Sequence, residues 1–209
     1  KRNPNKMRAD IDQVMSDFNT ISPTLKEIAD KIEKHLCEDV CANLTHIDKV
    51  SGRPKSQDSF RGKANKVEEK TGKLKYERPL KEIQDLIGAR IVVFYKSDVE
   101  PVAKAVKDYF QIVEETKFVQ DEVNKFGYEG LHLVCFIPTN IYSNKGNSLI
   151  PDFFELQIKT LYQHAWSQSE HGLGYKPGVK LNDEQKRQLA FIAAQSWGAD
   201  TILEQLVGK

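Results

Sequence analysis

The sequence predicts a mixed α/β fold: an α+β mixed sheet of about five strands with helices at both ends. Three observations carry this. Short β-branched apolar runs bounded by turn residues, above all Ile91-Val92-Val93-Phe94-Tyr95 and Leu131-His132-Leu133-Val134-Cys135-Phe136-Ile137, read as buried strands. Apolar residues recur at helical spacing near both termini. The 209 residues are 39% apolar and 29% charged, enough core material for one folded domain with helical attachments and too much for global disorder.

Ile11, Val14, Met15 and Phe18 lie on one helix face. Ser22-Pro23 reads as a cap followed by proline at the first helical position, so a second helix is predicted there, with Leu25, Ile28, Ala29, Ile32 and Leu36 inward. Residues 46–50 predict a short strand leading into Ser51-Gly52-Arg53-Pro54-Lys55. A helix with Phe60, Ala64 and Val67 inward follows, stopped by Thr71-Gly72. The apolar run at 90–95 is the central strand, and residues 99–109 are helical by spacing. Two weaker strands are expected at 112–115 and 117–123. A strong strand at 131–137 ends at Pro138, residues 140–150 form a loop, and residues 153–158 form the last strand. The tail predicts a helix over 160–170, then Asn182 as the cap of a long helix reaching about Leu206. One domain is expected over 1–209, with N-terminal helices at 1–45, the body at 46–178 and a C-terminal helix at 179–209.

The net charge is +1, from 31 basic and 30 acidic side chains, which argues against a wholly electrostatic nucleic-acid binder. The charges are not evenly spread: residues 49–81 carry a net of +7 and residues 82–209 a net of −4. A basic stretch is either a solvated face or a phosphate-binding patch. No apolar run approaches the roughly 18–20 residues of a membrane span, and the polar, charged start shows no secretory signal, so a cytoplasmic protein with no membrane partner is expected. The cysteines, Cys37, Cys41 and Cys135, read as ordinary reduced thiols.

Four groups of residues could carry chemistry. Asp85 precedes the central strand and Glu155 lies within the last one, in Phe154-Glu155-Leu156-Gln157-Ile158-Lys159. An acid among apolar strand residues is costly unless paired or bound to a metal, and two from neighbouring strands can hold a Mg²⁺ that also grips phosphates. Arg53, Lys55, Ser59, Arg61 and Lys63 place cations on a loop and the first turns of a helix, where triphosphate oxygens can be held. No Walker-type glycine loop is present. In Gly127-Tyr128-Glu129-Gly130-Leu131-His132, Tyr128 is either a core residue beside a turn or a platform for a base. His164 and His171, seven apart on one helix face, fit hydrogen-bonding support better than a zinc site.

In this order, these groups resemble the RelA/SpoT synthetase domain, especially its stand-alone members, the small alarmone synthetases. The resemblance covers roughly residues 46–178. It rests on Gly52-Arg53-Pro54-Lys55, Asp85-Leu86-Ile87-Gly88-Ala89-Arg90, Gly127-Tyr128 with His132, Glu155-Leu156-Gln157-Ile158-Lys159-Thr160, and His164-Ala165-Trp166 with Glu170-His171 and Tyr175-Lys176. It implies a nucleotidyltransferase-like sheet and transfer of the β,γ-pyrophosphate of ATP to a ribose 3′-hydroxyl. By the same resemblance, Arg53, Lys55, Ser59, Lys63 and Arg90 would bind ATP. Asp85 and Glu155 would be the catalytic, Mg²⁺-binding acids, with Glu155 also helping to remove the acceptor proton. Tyr128, His132 and Lys159 would bind the acceptor. Two positions depart from the family's usual pattern: Gly130 stands where serine is frequent, and Lys159 where arginine is common.

The resemblance implies an acceptor that is GDP or GTP, giving an alarmone. The alternative is the 3′ end of tRNA, modified by a toxin with a partner antitoxin. A third reading is a catalytically dead nucleotide-binding regulator. A homo-oligomer is left open. No hydrolase or regulatory domain, and no long C-terminal extension, is expected within these residues.

Overall fold

The structure, a computed structural model, describes residues 4–68, 70–118, 126–127, 130–143, 147–174 and 181–208. Its strands are β1 (Ile47–Pro54), β2 (Ile87–Val93), β3 (Ile112–Phe118), β4 (Gly130–Phe136) and β5 (Phe153–Thr160). They form one mixed sheet in the order β1-β2-β5-β4-β3, with β2 and β5 parallel at its centre and every other pair antiparallel. The expected mixed α/β architecture of five strands flanked by helices is therefore present.

Helix α1 spans Pro4–His35 and passes into a π-helical turn, Leu36–Val40. Helices α2 (Gln57–Ala64) and α3 (Pro79–Glu82) follow β1, and α4 (Val99–Tyr109) follows β2. Alternate residues of the central strands face opposite sides. Ile87, Ala89 and Ile91 of β2, Leu131, Leu133 and Cys135 of β4, and Phe154, Leu156 and Ile158 of β5 join the core with Phe18, Leu25 and Ile28 of α1 and Val102, Ala103 and Val106 of α4. Phe18 stacks on Phe60 of α2 with ring centroids 4.1 Å apart. The other side of the sheet is open over Arg90, His132, Glu155 and Gln157, while Val92 and Val134 on the same side are buried.

The sequence expectations need four corrections. The two predicted N-terminal helices are one, because α1 runs through Pro23. A proline inside a helix costs about 3 kcal/mol. That cost is outweighed by an unbroken apolar stripe, Phe18, Ile21, Leu25, Ile28, Ile32 and Leu36, each exposed by 2% or less. The first strand continues to Pro54, so Arg53 sits on β1 rather than in a loop. Helix α2 ends at Ala64 with Asn65 as its cap, and half-exposed Val67 pairs with Leu74 across a turn in which Gly72 takes φ 63°. The two weak strands are one strand, β3, as far as Phe118; residues 119–123 lie outside the described residues.

Two further helices, α5 (Leu161–Gly174) and α6 (Asp183–Val207), pack on each other beside the open face. Thr160, the last residue of β5, starts α5: its hydroxyl accepts from the Gln163 backbone N–H, and its own N–H donates to Gln163 Oε1. The same hydroxyl donates to buried Asp200 of α6 at 2.7 Å. Asn182 caps α6 in a reciprocal pair with Gln185, as its position in the sequence predicts.

Candidate active site

The strand register builds the site. Ser51 of β1 pairs with Arg90 of β2, Arg90 with Gln157 of β5, and Gln157 with His132 of β4. One row of polar side chains thus crosses four strands. Neighbouring positions on the same face add Lys49 and Arg53 from β1, Gly88 from β2, and Glu155 and Lys159 from β5. All of these line one cleft of about 1020 Å³, together with Lys55, Ser56, Ser59, Asp85, Ser167 and Glu170.

Asp85 stands just before β2, where the Lys55 N–H donates to the Leu86 carbonyl beyond the end of the β1–β2 ladder. Its carboxylate accepts from Lys55 Nζ at 2.6 Å and from Lys63 Nζ, on α2, at 3.0 Å. Burial works to raise its pKa, but the two ammonium groups outweigh that and hold it below the ordinary carboxylate value. Glu155 accepts from Gln157 Nε2 at 2.8 Å and meets His132 Nδ1 at 3.3 Å. Here too burial is outweighed, by His132 and Gln157, and the pKa falls even though the Asp85 charge pushes the other way. Both acids are thus anionic at neutral pH and close enough to act on each other.

Among the described residues, no group of three or more His, Cys, Asp or Glu gathers around one point. The donor set is two carboxylates facing a cleft. That suits Mg²⁺, which takes one or two protein carboxylates and completes its shell with phosphate oxygens and water.

The cations come from four elements. Lys49 and Arg53 line the cleft from β1, Lys55 from the turn after it, Arg90 from β2 and Lys159 from β5. The start of α2 faces the same space, with Ser56 capping it by accepting from the Ser59 N–H at 3.3 Å. A helix N-terminus beside lysines suits anionic oxygens. Arg61 is exposed and outside the cleft lining, so only part of the +7 stretch serves this site; Lys66, Lys70, Lys73, Lys75 and Arg78 are solvated.

Lys159 is 3% exposed and donates to Ser167 Oγ at 3.2 Å. Burial, then the charges of Arg90 and Arg53, pull its pKa down to about 7, against the pull of Glu155. Folding therefore releases a proton from Lys159 between pH 7 and its ordinary 10.5, and its contribution makes stability rise with pH across that window. Lys159→Met is expected to remove that slope and to stabilise the protein at pH 7 by about 2 kcal/mol. Urea denaturation at pH 7 and pH 9.5 tests this; equal pH slopes in the two proteins would contradict it.

Sequence reasoning left His164 in a supporting role, and its partner is Arg90, with Nη1 3.2 Å from Nδ1. Burial first, and then the nearby cations Arg90, Lys159 and Lys49, lower the His164 pKa. The His171 side chain and Tyr128 lie outside the described residues. Lys49, Ser51, Gln157 and Ser167 were not predicted as site residues. The signal for Lys49, Ser51 and Gln157 was the period-two alternation Lys49-Ser51-Arg53 and Glu155-Gln157-Lys159, and Ser167, on α5, had no such signal.

Known proteins resemble this chain in sequence and in fold. The family described as "Region found in RelA / SpoT proteins" matches residues 52–180. GTP pyrophosphokinase YjbM of Bacillus subtilis (strain 168) is 28% identical over 137 residues, which are 63% of this chain and 62% of the relative, so the chain spans less than two thirds of that protein. GTP pyrophosphokinase YwaC of the same organism is 29% identical over 153 residues, 70% of this chain and 67% of the relative. The crystal structure of small alarmone synthetase 2 from Bacillus subtilis superposes with a TM-score of 0.70 at 22% identity, covering 92% of this chain and 98% of that one.

Proposed function

Given that the chain belongs to the RelA/SpoT family, we propose that its cleft transfers the β,γ-pyrophosphate of ATP to the ribose 3′-hydroxyl of GDP or GTP. The observation that carries this reading is the meeting of two carboxylates, Asp85 and Glu155, with Arg53, Lys55, Arg90 and Lys159 in one cleft, with Lys63 of α2 bonded to Asp85 beside them. The names of YjbM and YwaC support guanine nucleotide as the acceptor.

In this reading the 3′-oxygen of the acceptor attacks the β-phosphorus of ATP. The bond from that phosphorus to the α,β-bridging oxygen breaks, and AMP leaves with the electron pair. The acceptor proton passes to Glu155 or to solvent. Such transfer needs charge neutralisation and in-line placement more than covalent help from the protein. Lys55, Lys63, Ser59 and the start of α2 would hold the phosphates, with Arg53 and Arg90 on the ATP side. Asp85 and Glu155 would hold Mg²⁺, which when bound neutralises charge developing on the phosphate oxygens. His132 and Lys159 would face the acceptor phosphates, and Tyr128 would stack on the base. Lys55 and Lys63 both engage Asp85 in this structure, so phosphate binding would draw them from a carboxylate to the substrate.

The test offers GDP, GTP and deacylated tRNA to the protein with γ-labelled ATP and Mg²⁺. Label on a guanine nucleotide supports the proposal, and label on tRNA alone overturns the choice of acceptor. Tyr128→Ala should raise the acceptor KM about 10- to 100-fold, the cost of losing base stacking, and leave the ATP KM within about twofold. An unchanged acceptor KM would remove Tyr128 from the site.

A further inference from the structure

Helix α6 ties together parts of the molecule that are far apart in sequence. Asp200 accepts from Thr160 at the end of β5, the Lys96 ammonium lies 3.4 Å from Thr201 Oγ1, and Glu204 accepts from the Ser97 backbone N–H at 2.9 Å. About one turn before these anchors on α6 stands Trp197. It is 45% exposed, with the Lys96 ammonium 5.5 Å from its ring centre and the Phe126 ring packed against it edge-on at 5.8 Å. Phe126 is itself 39% exposed. Gly127, the next residue, lines a small recess floored by Gln163, Trp166, Ala193, Trp197 and Asp200.

Two large aromatic side chains meeting at the surface gain little from core burial; what their contact does is fix one chain segment against another. The segment fixed here is the one that leads directly into Tyr128. The cleft side chains that bear on ATP in the proposed function come from β1 and the turn after it, from β2, β5 and α2, whereas the ring of Trp197 meets Phe126 and Lys96.

We propose that Trp197 is a positioning residue for the acceptor. By docking Phe126 and Gly127 on α6, it anchors the chain immediately before Tyr128 in the sequence, so that acceptor binding, and not ATP binding, depends on this helix. The inference rests on the pyrophosphate-transfer reading above.

The contact and its consequence can be measured separately. The chain has two tryptophans, so Trp166→Phe leaves Trp197 as the sole emitter. In that background Phe126→Ala should shift the emission to the red as the ring becomes more exposed. In the otherwise unaltered chain, Trp197→Ala should raise the KM for the guanine nucleotide about five- to tenfold, with the ATP KM and the melting temperature nearly unchanged. Phe126→Ala should do the same, the double variant should be no worse than either single one, and Trp197→Phe should restore most of the loss. A normal acceptor KM in Trp197→Ala, an equal rise for ATP, or additive effects of the two substitutions would each overturn the inference and leave the functional reading standing. No transfer to any guanine nucleotide by the unaltered protein would overturn both.

Discussion

Asp85→Asn is expected to lower the rate of pyrophosphate transfer by about 10³-fold or more while the protein remains folded. The substitution keeps the shape of the side chain and removes its charge. That charge balances Lys55 and Lys63 at 2.6 and 3.0 Å, and in the proposed function it is half of the acid pair that holds Mg²⁺. Stability should fall by only about 1–2 kcal/mol, because the amide oxygen still accepts one of the two hydrogen bonds. The wild-type carboxylate, held below its ordinary pKa of 3.8, contributes stability that is present above that value and is lost as the pH falls below it. The variant should lack that part of the acid unfolding curve. Steady-state rates and an acid titration of the fold check the two halves together. Wild-type turnover in Asp85→Asn would remove this residue from the reaction.

Gly52→Ala is expected to be the most damaging single-methyl change in the motif around β1. A Cβ on Gly52 would stand 2.4 Å from the Ala29 carbonyl oxygen of α1 and 3.3 Å from Glu33 Cβ. Backbone atoms in a packed helix cannot swing aside, so α1 or β1 must move. The Gly52 N–H also donates to the Glu33 carboxylate at 2.7 Å, a bond that the shift would stretch. A loss of about 2–3 kcal/mol follows, or roughly 6–10 °C in melting temperature for a chain of this size. Because β1 carries Lys49, Ser51 and Arg53 into the cleft, ATP binding should weaken as well. A melting temperature within 2 °C of wild type, on a scale of about 3 °C per kcal/mol, would show that α1 does not press on this strand as described.

This role of Gly52 shows what the sequence could and could not reveal. The motif Gly52-Arg53-Pro54-Lys55 pointed to phosphate binding, and Arg53 and Lys55 do line the cleft. The glycine itself serves the approach of a helix 19 residues away in the chain, which no local pattern encodes. Strands β2, β4 and β5 were legible because central strands need β-branched apolar residues on at least one face. The end of β1 was not. It is an edge strand whose cleft face is Lys49, Ser51 and Arg53, so an apolar pattern stops at Val50 while the ladder continues to Pro54. Pro23 reads as a helix start by every local rule, and only the buried stripe on both sides of it keeps α1 whole. In the site, the two acids were legible from their apolar neighbours. The Arg90–His164 pair spans 74 residues and the Phe126–Trp197 contact 71, so both became visible only once the sheet and α6 were placed.

In the proposed function the cleft moves an intact pyrophosphate unit rather than a single phosphoryl group. The direct measurement is the adenine co-product formed when the protein is given ATP, GDP and Mg²⁺, with nucleotides separated and counted over the time course. The proposed attack at the β-phosphorus predicts AMP, in a one-to-one ratio with a guanosine nucleotide that has gained two phosphates. ADP as the co-product, or AMP and free pyrophosphate with no altered guanosine nucleotide, would contradict it.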